Sequence, residues 1–213
     1  MPGVGLPASI GYADSMRTGF PIALPSQKIG LLGGSFDPAH QGHVLISKVA
    51  LRRLGLDRVW WLASPGNPLK THGPAPLDSR ISAARQLISD PRIIVSDIET
   101  RLGLRMTADT LQALVRIYPQ VHFVWLMGSD NLVQFHKWDR WKQIAQTVPM
   151  AVMARPGTRL AARHSVASQV MKPHRLPEYR AAEVAHFKAP AWAFLNLPMS
   201  GMSSTALRQK DNL

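Results

Sequence analysis

Apolar runs and amphipathic segments alternate along the 213 residues of this chain. Short runs that are apolar throughout predict strands buried on both faces, whereas apolar residues recurring every three or four positions predict helices. The predicted strands are residues 29–32, 58–63, 92–96, 121–127, 150–154 and 192–196. The predicted helices are residues 44–54, 78–89 (capped by Asp78), 107–118 (capped by Thr107), a stretch through Trp138 and Trp141 to about residue 145, and a last helix capped by Ser203, Ser204 and Thr205.

This alternation favours an α/β fold, a Rossmann-like, doubly wound parallel sheet with helices on both faces. Ligands of such a sheet bind beyond the carboxyl ends of its strands. Four glycine-rich or polar segments directly follow predicted strands, at residues 33–34, 64–72, 128–130 and 155–157. We therefore expect these four segments to meet at one edge of the sheet and to form the functional site there.

Residues 28–213 are expected to form a single domain, because about 200 residues suffice for one sizeable core. Residues 1–27 are rich in Gly, Pro and Ala and lack the pattern of a signal peptide, so we predict a poorly ordered extension or an overlong start. Residues 158–190 give no readable pattern. No apolar run approaches the ~20 residues that span a bilayer, so we expect no membrane association.

The chain has no cysteine, which excludes disulfides, thiolate catalysis and Cys-based zinc sites and fits a cytoplasmic protein. Its formal net charge is +12, with 25 Lys and Arg against 13 Asp and Glu. Such a charge fits either nucleic-acid binding or small polyanionic substrates. The basic residues are scattered and form no dense run, so we expect anionic substrates and no dedicated nucleic-acid partner.

Residues 33–43 read Gly-Gly-Ser-Phe-Asp-Pro-Ala-His-Gln-Gly-His, between a predicted strand and a predicted helix. Gly33 and Gly34 let the backbone approach a ligand closely. A helix N-terminus offers free N–H groups to a phosphate, and His40 and His43 add donors for developing charge. The alternative is an ordinary turn with two surface histidines. The sequence leaves the protonation of both imidazoles open.

A second motif, Ser-Ser-Thr-Ala-Leu-Arg, occupies residues 203–208. Hydroxyls and free N–H groups at a helix start, with Arg208 one turn further along, would make a second anion site. The alternative is a plain serine N-cap.

The first motif resembles the signature of the nucleotidyltransferase superfamily, whose members carry His-x-Gly-His and join a nucleotide to a phosphate. In that superfamily a Ser-Ser-Thr-x-x-Arg element near the C-terminus binds the nucleoside triphosphate. Further stretches look like the bacterial nicotinate-mononucleotide adenylyltransferases, and the likeness runs from about residue 28 to 208. These stretches are residues 64–70, 107–111, 127–132, 135–138 and 155–157. Met106 departs from the family pattern, because relatives often place Tyr before the Thr.

This resemblance implies transfer of the adenylyl group of ATP to nicotinate mononucleotide in NAD biosynthesis, with His40 and His43 as catalytic residues. It implies Mg²⁺ held by the ATP phosphates and water, with no metal site made by the protein itself. The implied ATP-binding residues are Gly33, Gly34, Ser35, Phe36, His40, His43, Gly128, Asp130, Arg155, Ser203, Ser204, Thr205 and Arg208. The implied residues for nicotinate mononucleotide are Ser35, Phe36, Asn67, Lys70, Thr107 and Trp138.

Several of these roles have a structural alternative. The Trp138 ring either stacks on the pyridine or packs in the core, where Trp141 is expected. Asp130 either serves the adenosine pocket or caps a helix. Lys70 and His72 either approach a phosphate or are solvated loop charges. Of the tryptophans at positions 60 and 61, one is expected in the core and one facing a helix.

The function also has alternatives. An adenylyltransferase of the same superfamily acting on nicotinamide mononucleotide or phosphopantetheine, a cytidylyltransferase, and a basic nucleotide- or RNA-binding module all stay open, as does a homo-oligomer.

Overall fold

The computed structural model describes residues 19–66, 74–155 and 157–196. Seven strands lie in this described part: β1 (Lys28–Gly34), β2 (Arg58–Ala63), β3 (Ile93–Ser96), β4 (His122–Gly128), β5 (Met150–Met153), β6 (Arg175–Leu176) and β7 (Trp192–Leu195). The α-helices there are α1 (Gln41–Arg53), α2 (Leu77–Leu87), α3 (Ile98–Arg101), α4 (Thr107–Ile117), α5 (Ser129–Gln134), α6 (Trp141–Thr147), α7 (Arg159–Arg163) and α8 (Val166–Val170). Short 3₁₀ segments cover Phe135–Lys137, Lys172–His174 and Glu178–His186.

All seven strands join one parallel sheet in the order β3-β2-β1-β4-β5-β7-β6. The strand order reverses between β1 and β4, which are neighbours in the sheet. A crevice opens at the carboxyl edge of such a sheet where the order reverses. The predicted parallel α/β architecture is confirmed, and the sheet places the ends of β1 and β4 at the centre of that edge.

Two apolar cores cover the two faces of the sheet. Trp61 packs on the face covered by α1, where its indole N–H donates to Ser47 Oγ at 2.8 Å. Trp60 packs on the opposite face, edge-on to Tyr118 and Phe123. The two indoles therefore lie on opposite faces of the sheet, with Trp61 facing helix α1, and both are fully buried.

The structure corrects two of the predicted helix caps. Helix α2 follows Pro76 as its N-cap, so Asp78 lies inside the first turn. Helix α4 follows Met106, so Thr107 is the first helical residue rather than the cap. In neither case does the N-cap side chain make a capping hydrogen bond.

The helix predicted through Trp138 and Trp141 is interrupted. Helix α5 ends at Gln134 and continues as the 3₁₀ turn Phe135–Lys137, after which Trp138 is extended with φ −72° and ψ 146°. Arg140 then adopts a left-handed backbone with φ 48° before α6 begins. Two hydrogen bonds of 2.7 Å from its guanidinium to Asp109 on α4 stabilise the turn. Helical periodicity alone does not show this break, which coincides with the long-range pair of Arg140 and Asp109.

Residues 19–27 were expected within the poorly ordered extension, but here they lie against the domain. The Tyr118 hydroxyl donates to the carbonyl of Pro21 at 2.8 Å, and the Ser26 N–H donates to the carbonyl of Gln120 at 2.7 Å. Phe20 packs on the same core as Trp60. The boundary expected at residue 28 therefore does not separate these nine residues from the domain. Residues 1–18 and the predicted last helix lie outside the described part.

Within the described ranges, no helix is both long and apolar enough to cross a membrane. Residues 158–190, which gave no readable pattern, form α7, α8, the short edge strand β6 and the 3₁₀ segment Glu178–His186.

Candidate active site

The four segments expected to meet at the carboxyl edge do so where the structure describes them. Gly33 and Gly34 end β1, and Ser64 follows β2; all three line one cavity of about 690 Å³. Gly128 ends β4 beside Arg155, which follows β5. The site therefore spans the point where the strand order reverses, with one half toward β2 and the other toward β5.

Two histidines form the start of α1 and cap it. His40 is the N-cap, and its Nδ1 accepts the N–H of Gly42 at 3.0 Å. The backbone N–H of His40 donates in turn to Nδ1 of His43 at 3.2 Å. The two rings stack with their centroids 3.9 Å apart. Because both Nδ1 atoms accept a hydrogen bond, the proton of each neutral imidazole lies on Nε2.

Both imidazoles are neutral at physiological pH. Burial and then the Arg155 guanidinium lower the pKa of His40 below its usual range, against a smaller opposing effect of Asp130. Burial, His40 and Arg155 lower the pKa of His43 to about 3. The Nε2 atom of His40 is buried and finds no acceptor among the described residues. A buried donor without an acceptor is costly, and an anionic oxygen bound here would satisfy it.

Phe36 shapes the turn in front of the histidines. Its backbone is left-handed, with φ 49°, a conformation that is unfavourable for a bulky residue. Its ring is buried and stacks on Trp61 with centroids 4.8 Å apart and an interplanar angle of 4°. The same ring meets His43 edge-on at 4.9 Å. These ring contacts stabilise the strained backbone conformation of the turn and pack it beside the two histidines.

The other half of the site is built after β4 and β5. Arg155 Nη1 lies 3.3 Å from Asp130 Oδ2, and the Arg155 N–H donates to Ser129 Oγ at 2.7 Å. Ser129 Oγ also shares a 2.6 Å hydrogen bond with Thr158 Oγ1. Asp130 Oδ1 is buried and receives no donor from the described residues. It is an acceptor that a hydroxyl or amino group of a nucleoside would satisfy.

Gly128 is required by this arrangement. A Cβ there would lie 2.3 Å from Asp130 Oδ1 and 3.0 Å from Arg155 Nε. We expect Gly128→Ala to push both side chains aside and to raise the KM for the nucleoside triphosphate at least about tenfold, since a displaced charged contact costs more than 1.4 kcal/mol. Steady-state kinetics with each substrate varied in turn measure this, with the melting temperature as the control for folding. A variant with both KM values unchanged would contradict the role given to these residues.

Trp138 and Thr107 line the same cavity as Gly33 and Gly34. Trp138 is half-buried and stands edge-on to Trp125 at 6.4 Å and to Phe135 at 5.4 Å. Trp141, expected to pack, lies against Phe135 with centroids 5.8 Å apart. The structure thus places one tryptophan in the cavity wall and the other in helix packing.

Gly33 has a structural reason for lacking a side chain. A Cβ on Gly33 would lie 2.5 Å from the Trp125 ring, so the glycine makes room for the cavity wall itself. The sequence suggested only that it leaves room for a ligand.

Glu99 is a functional candidate that the sequence reasoning missed. It is 6% exposed, lines the cavity, and accepts a 2.9 Å hydrogen bond from the Thr110 hydroxyl. Burial raises its pKa to about 7, against the lowering effect of the Thr110 bond. The sequence offered little indication of this role, because Glu99 lies in a stretch without a clear helical pattern and belongs to no motif.

The raised pKa makes stability depend on pH. The pKa of the Glu99 carboxyl is 4.5 in the unfolded chain and about 7 in the folded protein, so the folded state binds the proton more tightly. The folded protein therefore loses stability as the pH rises from about 4.5 to 7. We expect Glu99→Gln to be more stable than the parent protein at pH 8, by up to about 3 kcal/mol, and equally stable at pH 4.5. Chemical denaturation at the two pH values tests this, with the exposed Glu183→Gln as control. A stability difference that is the same at both pH values would contradict the buried, titrating carboxyl.

Other predicted site residues lie outside the described part of the chain. They are Asn67, Lys70, His72, Ser203, Ser204, Thr205 and Arg208. Their roles stay predictions. Ser35 is described, and its backbone carbonyl accepts a hydrogen bond from Arg80.

No group of three or more His, Asp or Glu side chains suited to a metal ion occurs in the ranges that the structure describes.

Comparison with known proteins agrees with this geometry. A family model described as cytidylyltransferase-like matches residues 31–210. The chain is 57% identical over 195 residues to a protein of Roseobacter denitrificans described as "Probable nicotinate-nucleotide adenylyltransferase", covering 92% of this chain and 98% of that protein. A protein of Ruegeria pomeroyi with the same description is also 57% identical, over 91% of each chain.

Among solved structures, the chain is similar to the nicotinic acid mononucleotide adenylyltransferase of Plasmodium falciparum complexed with NaAD. The TM-score is 0.66 over 86% of this chain and 83% of that one. The sequence identity is 18%, so this similarity supports the fold alone.

Proposed function

The chain belongs to the cytidylyltransferase-like family and is a nicotinate-nucleotide adenylyltransferase of NAD biosynthesis, and from this premise we propose how its residues act. The substrates are ATP and nicotinate mononucleotide. A phosphate oxygen of the mononucleotide forms a bond to the α-phosphorus of ATP as the bond from that phosphorus to the bridging oxygen breaks. The products are nicotinate adenine dinucleotide and pyrophosphate.

The stacked histidine pair is the observation that carries this proposal. His40 and His43 lie at the N-terminus of a 13-residue helix, both neutral and both with the proton on Nε2. The helix dipole favours an anion at this end, and the unsatisfied Nε2 donor of His40 suits a phosphate oxygen. The imidazoles act as fixed hydrogen-bond donors to charge that develops on the phosphoryl group.

No proton has to be removed from the attacking group, because a phosphate is already an anion at neutral pH. Catalysis is then positioning and charge stabilisation. The lowered pKa values fit this role, since a neutral imidazole neither supplies nor needs a proton during the reaction. Mg²⁺, when bound to the triphosphate, supplies further neutralisation of its charge.

The half of the site after β4 and β5 takes the nucleotide of ATP. The acceptor Asp130 Oδ1 receives a donor from the adenosine, and Arg155 contacts the phosphates beside the histidines. Ser203, Ser204, Thr205 and Arg208 are proposed to bind the β and γ phosphates, on the strength of the sequence motif alone.

The cavity takes the mononucleotide. Thr107 and Trp138 line it together with Gly33 and Gly34. A half-buried indole offers an aromatic face to an electron-poor pyridine ring. The positive charge of the chain attracts both anionic substrates to the site.

Isotope transfer tests the proposed bond changes. Nicotinate mononucleotide labelled with ¹⁸O on its phosphate should give a dinucleotide that retains all the label, part of it in the bridging position, and an unlabelled pyrophosphate. Mass spectrometry of both products measures this. Label in the pyrophosphate would mean that a different bond breaks and would contradict the mechanism.

A further inference from the structure

Arg80 on α2 is a buried arginine outside the residues assigned above. It is 3% exposed. Its guanidinium donates to three backbone carbonyls: Nη1 to Ser35, Nη2 to Ser64 at 3.0 Å, and Nε to Ala75 at 2.7 Å. No carboxylate of the described residues forms a salt bridge with it. The chain thus buries a cation whose hydrogen bonds all go to carbonyls, while the Asp37 carboxylate adds a favourable electrostatic interaction.

The three carbonyls belong to three separate segments at the carboxyl edge. Ser35 directly follows β1, Ser64 directly follows β2, and Ala75 precedes α2. Ser64 also lines the cavity shared with Thr107 and Trp138. The planar guanidinium joins these segments on the half of the site toward β2, away from Asp130 and Arg155.

The bond to Ser35 also fixes a donor. In a trans peptide the carbonyl and the following N–H point in opposite directions, so holding the Ser35 carbonyl toward Arg80 turns the Phe36 N–H away from it. That N–H has no acceptor among the described residues. The Ser35–Phe36 peptide directly follows Gly34, which lines the cavity shared with Thr107 and Trp138, so this donor lies close to the cavity in sequence.

We propose that Arg80 is a positioning residue, which fixes the Ser35–Phe36 peptide so that the Phe36 N–H donates to the phosphate of the mononucleotide. This inference rests on the proposed function for its choice of substrate. Arg80 acts through the backbone and does not touch the substrate itself.

Arg80→Lys separates this role from charge alone. Lysine keeps the cation, but its single ammonium cannot span three carbonyls held by a planar fork. We expect kcat/KM for nicotinate mononucleotide to fall at least about tenfold, with the KM for ATP within about twofold of the parent value. Arg85→Lys is the matched control, since Arg85 is exposed on the same helix, and it should leave all constants unchanged. Guanidinium chloride at millimolar concentration should restore part of the activity of Arg80→Ala, and ammonium chloride should not.

Amide NMR supplies a readout independent of turnover. In the parent protein, inorganic phosphate should shift the Phe36 N–H resonance; in Arg80→Lys the shift should be lost. Arg80→Gln replaces the lysine variant if the latter does not fold. A shift that persists in the folded variant, or an equal rise in both KM values, would overturn the positioning role. A parent protein inactive on nicotinate mononucleotide, yet showing the Arg80-dependent shift, would overturn only the proposed substrate.

Discussion

Replacing His43 with alanine is expected to lower kcat for adenylyl transfer by about 10²–10³-fold, with the sheet still folded. The variant loses an Nε2–H donor that stabilises charge on the phosphoryl group. It also loses the Nδ1 acceptor for the His40 N–H, which should cost about 0.5–2 kcal/mol of stability. Stopped or continuous assays of pyrophosphate release give kcat, and thermal unfolding gives the stability loss separately.

Two conservative variants divide these roles. The asparagine in His43→Asn places an oxygen near the Nδ1 position, so it can keep the cap but not the distal donor. The glutamine in His43→Gln places an amide N–H near the Nε2 position, so it can keep the donor but weaken the cap. We expect the first variant to be stable and nearly inactive, and the second to be less stable and more active. Near-parent kcat in a folded His43→Asn would contradict the catalytic role.

Replacing Trp138 with alanine is expected to raise the KM for nicotinate mononucleotide by about 5–150-fold, because an aromatic–base stack contributes about 1–3 kcal/mol. The KM for ATP should change by less than about twofold, since Trp138 lines the cavity and neither Asp130 nor Arg155 is among the described residues that line it. Initial rates over a grid of both substrate concentrations measure the two constants.

Trp141→Ala is the control for packing. Trp141 is the first residue of α6, and its ring packs against Phe135 in the preceding 3₁₀ turn. It should lower the melting temperature and leave the ratio of the two KM values unchanged. Trp138→Phe keeps an aromatic face and should recover most of the affinity lost in Trp138→Ala. If Trp138→Ala raises both KM values equally, the side chain packs the core and does not bind the pyridine.

The strands and the location of the site could be predicted because both depend on local pattern. A continuous apolar run predicts a strand that is buried on both faces of the sheet, and the structure shows this for β1, β2, β4 and β5. Their parallel arrangement then carries the glycine and polar segments to one edge. The same reasoning failed at Trp138, because helical periodicity does not show a break that coincides with an ion pair between Arg140 and Asp109, 31 residues apart.

The buried charges could not be predicted for the same reason. The Arg80 guanidinium bonds to the carbonyls of Ser35 and Ser64, and the Glu99 carboxyl bonds to the Thr110 hydroxyl. A single sequence does not show which charged groups will find such partners. The protonation of His40 and His43 likewise depends on burial and on which backbone N–H each Nδ1 accepts. The sequence motif therefore identifies the two histidines, whereas their tautomers can be assigned only from the hydrogen bonds in the structure.

The most direct test of the account is pyrophosphate release from ATP with Mg²⁺, measured with nicotinate mononucleotide, nicotinamide mononucleotide and phosphopantetheine as separate acceptors. The account predicts rapid turnover with the nicotinate form, and loss of that turnover in His43→Asn. Faster turnover with phosphopantetheine or the amide form, or salt-sensitive RNA binding with no turnover on any acceptor, would contradict it.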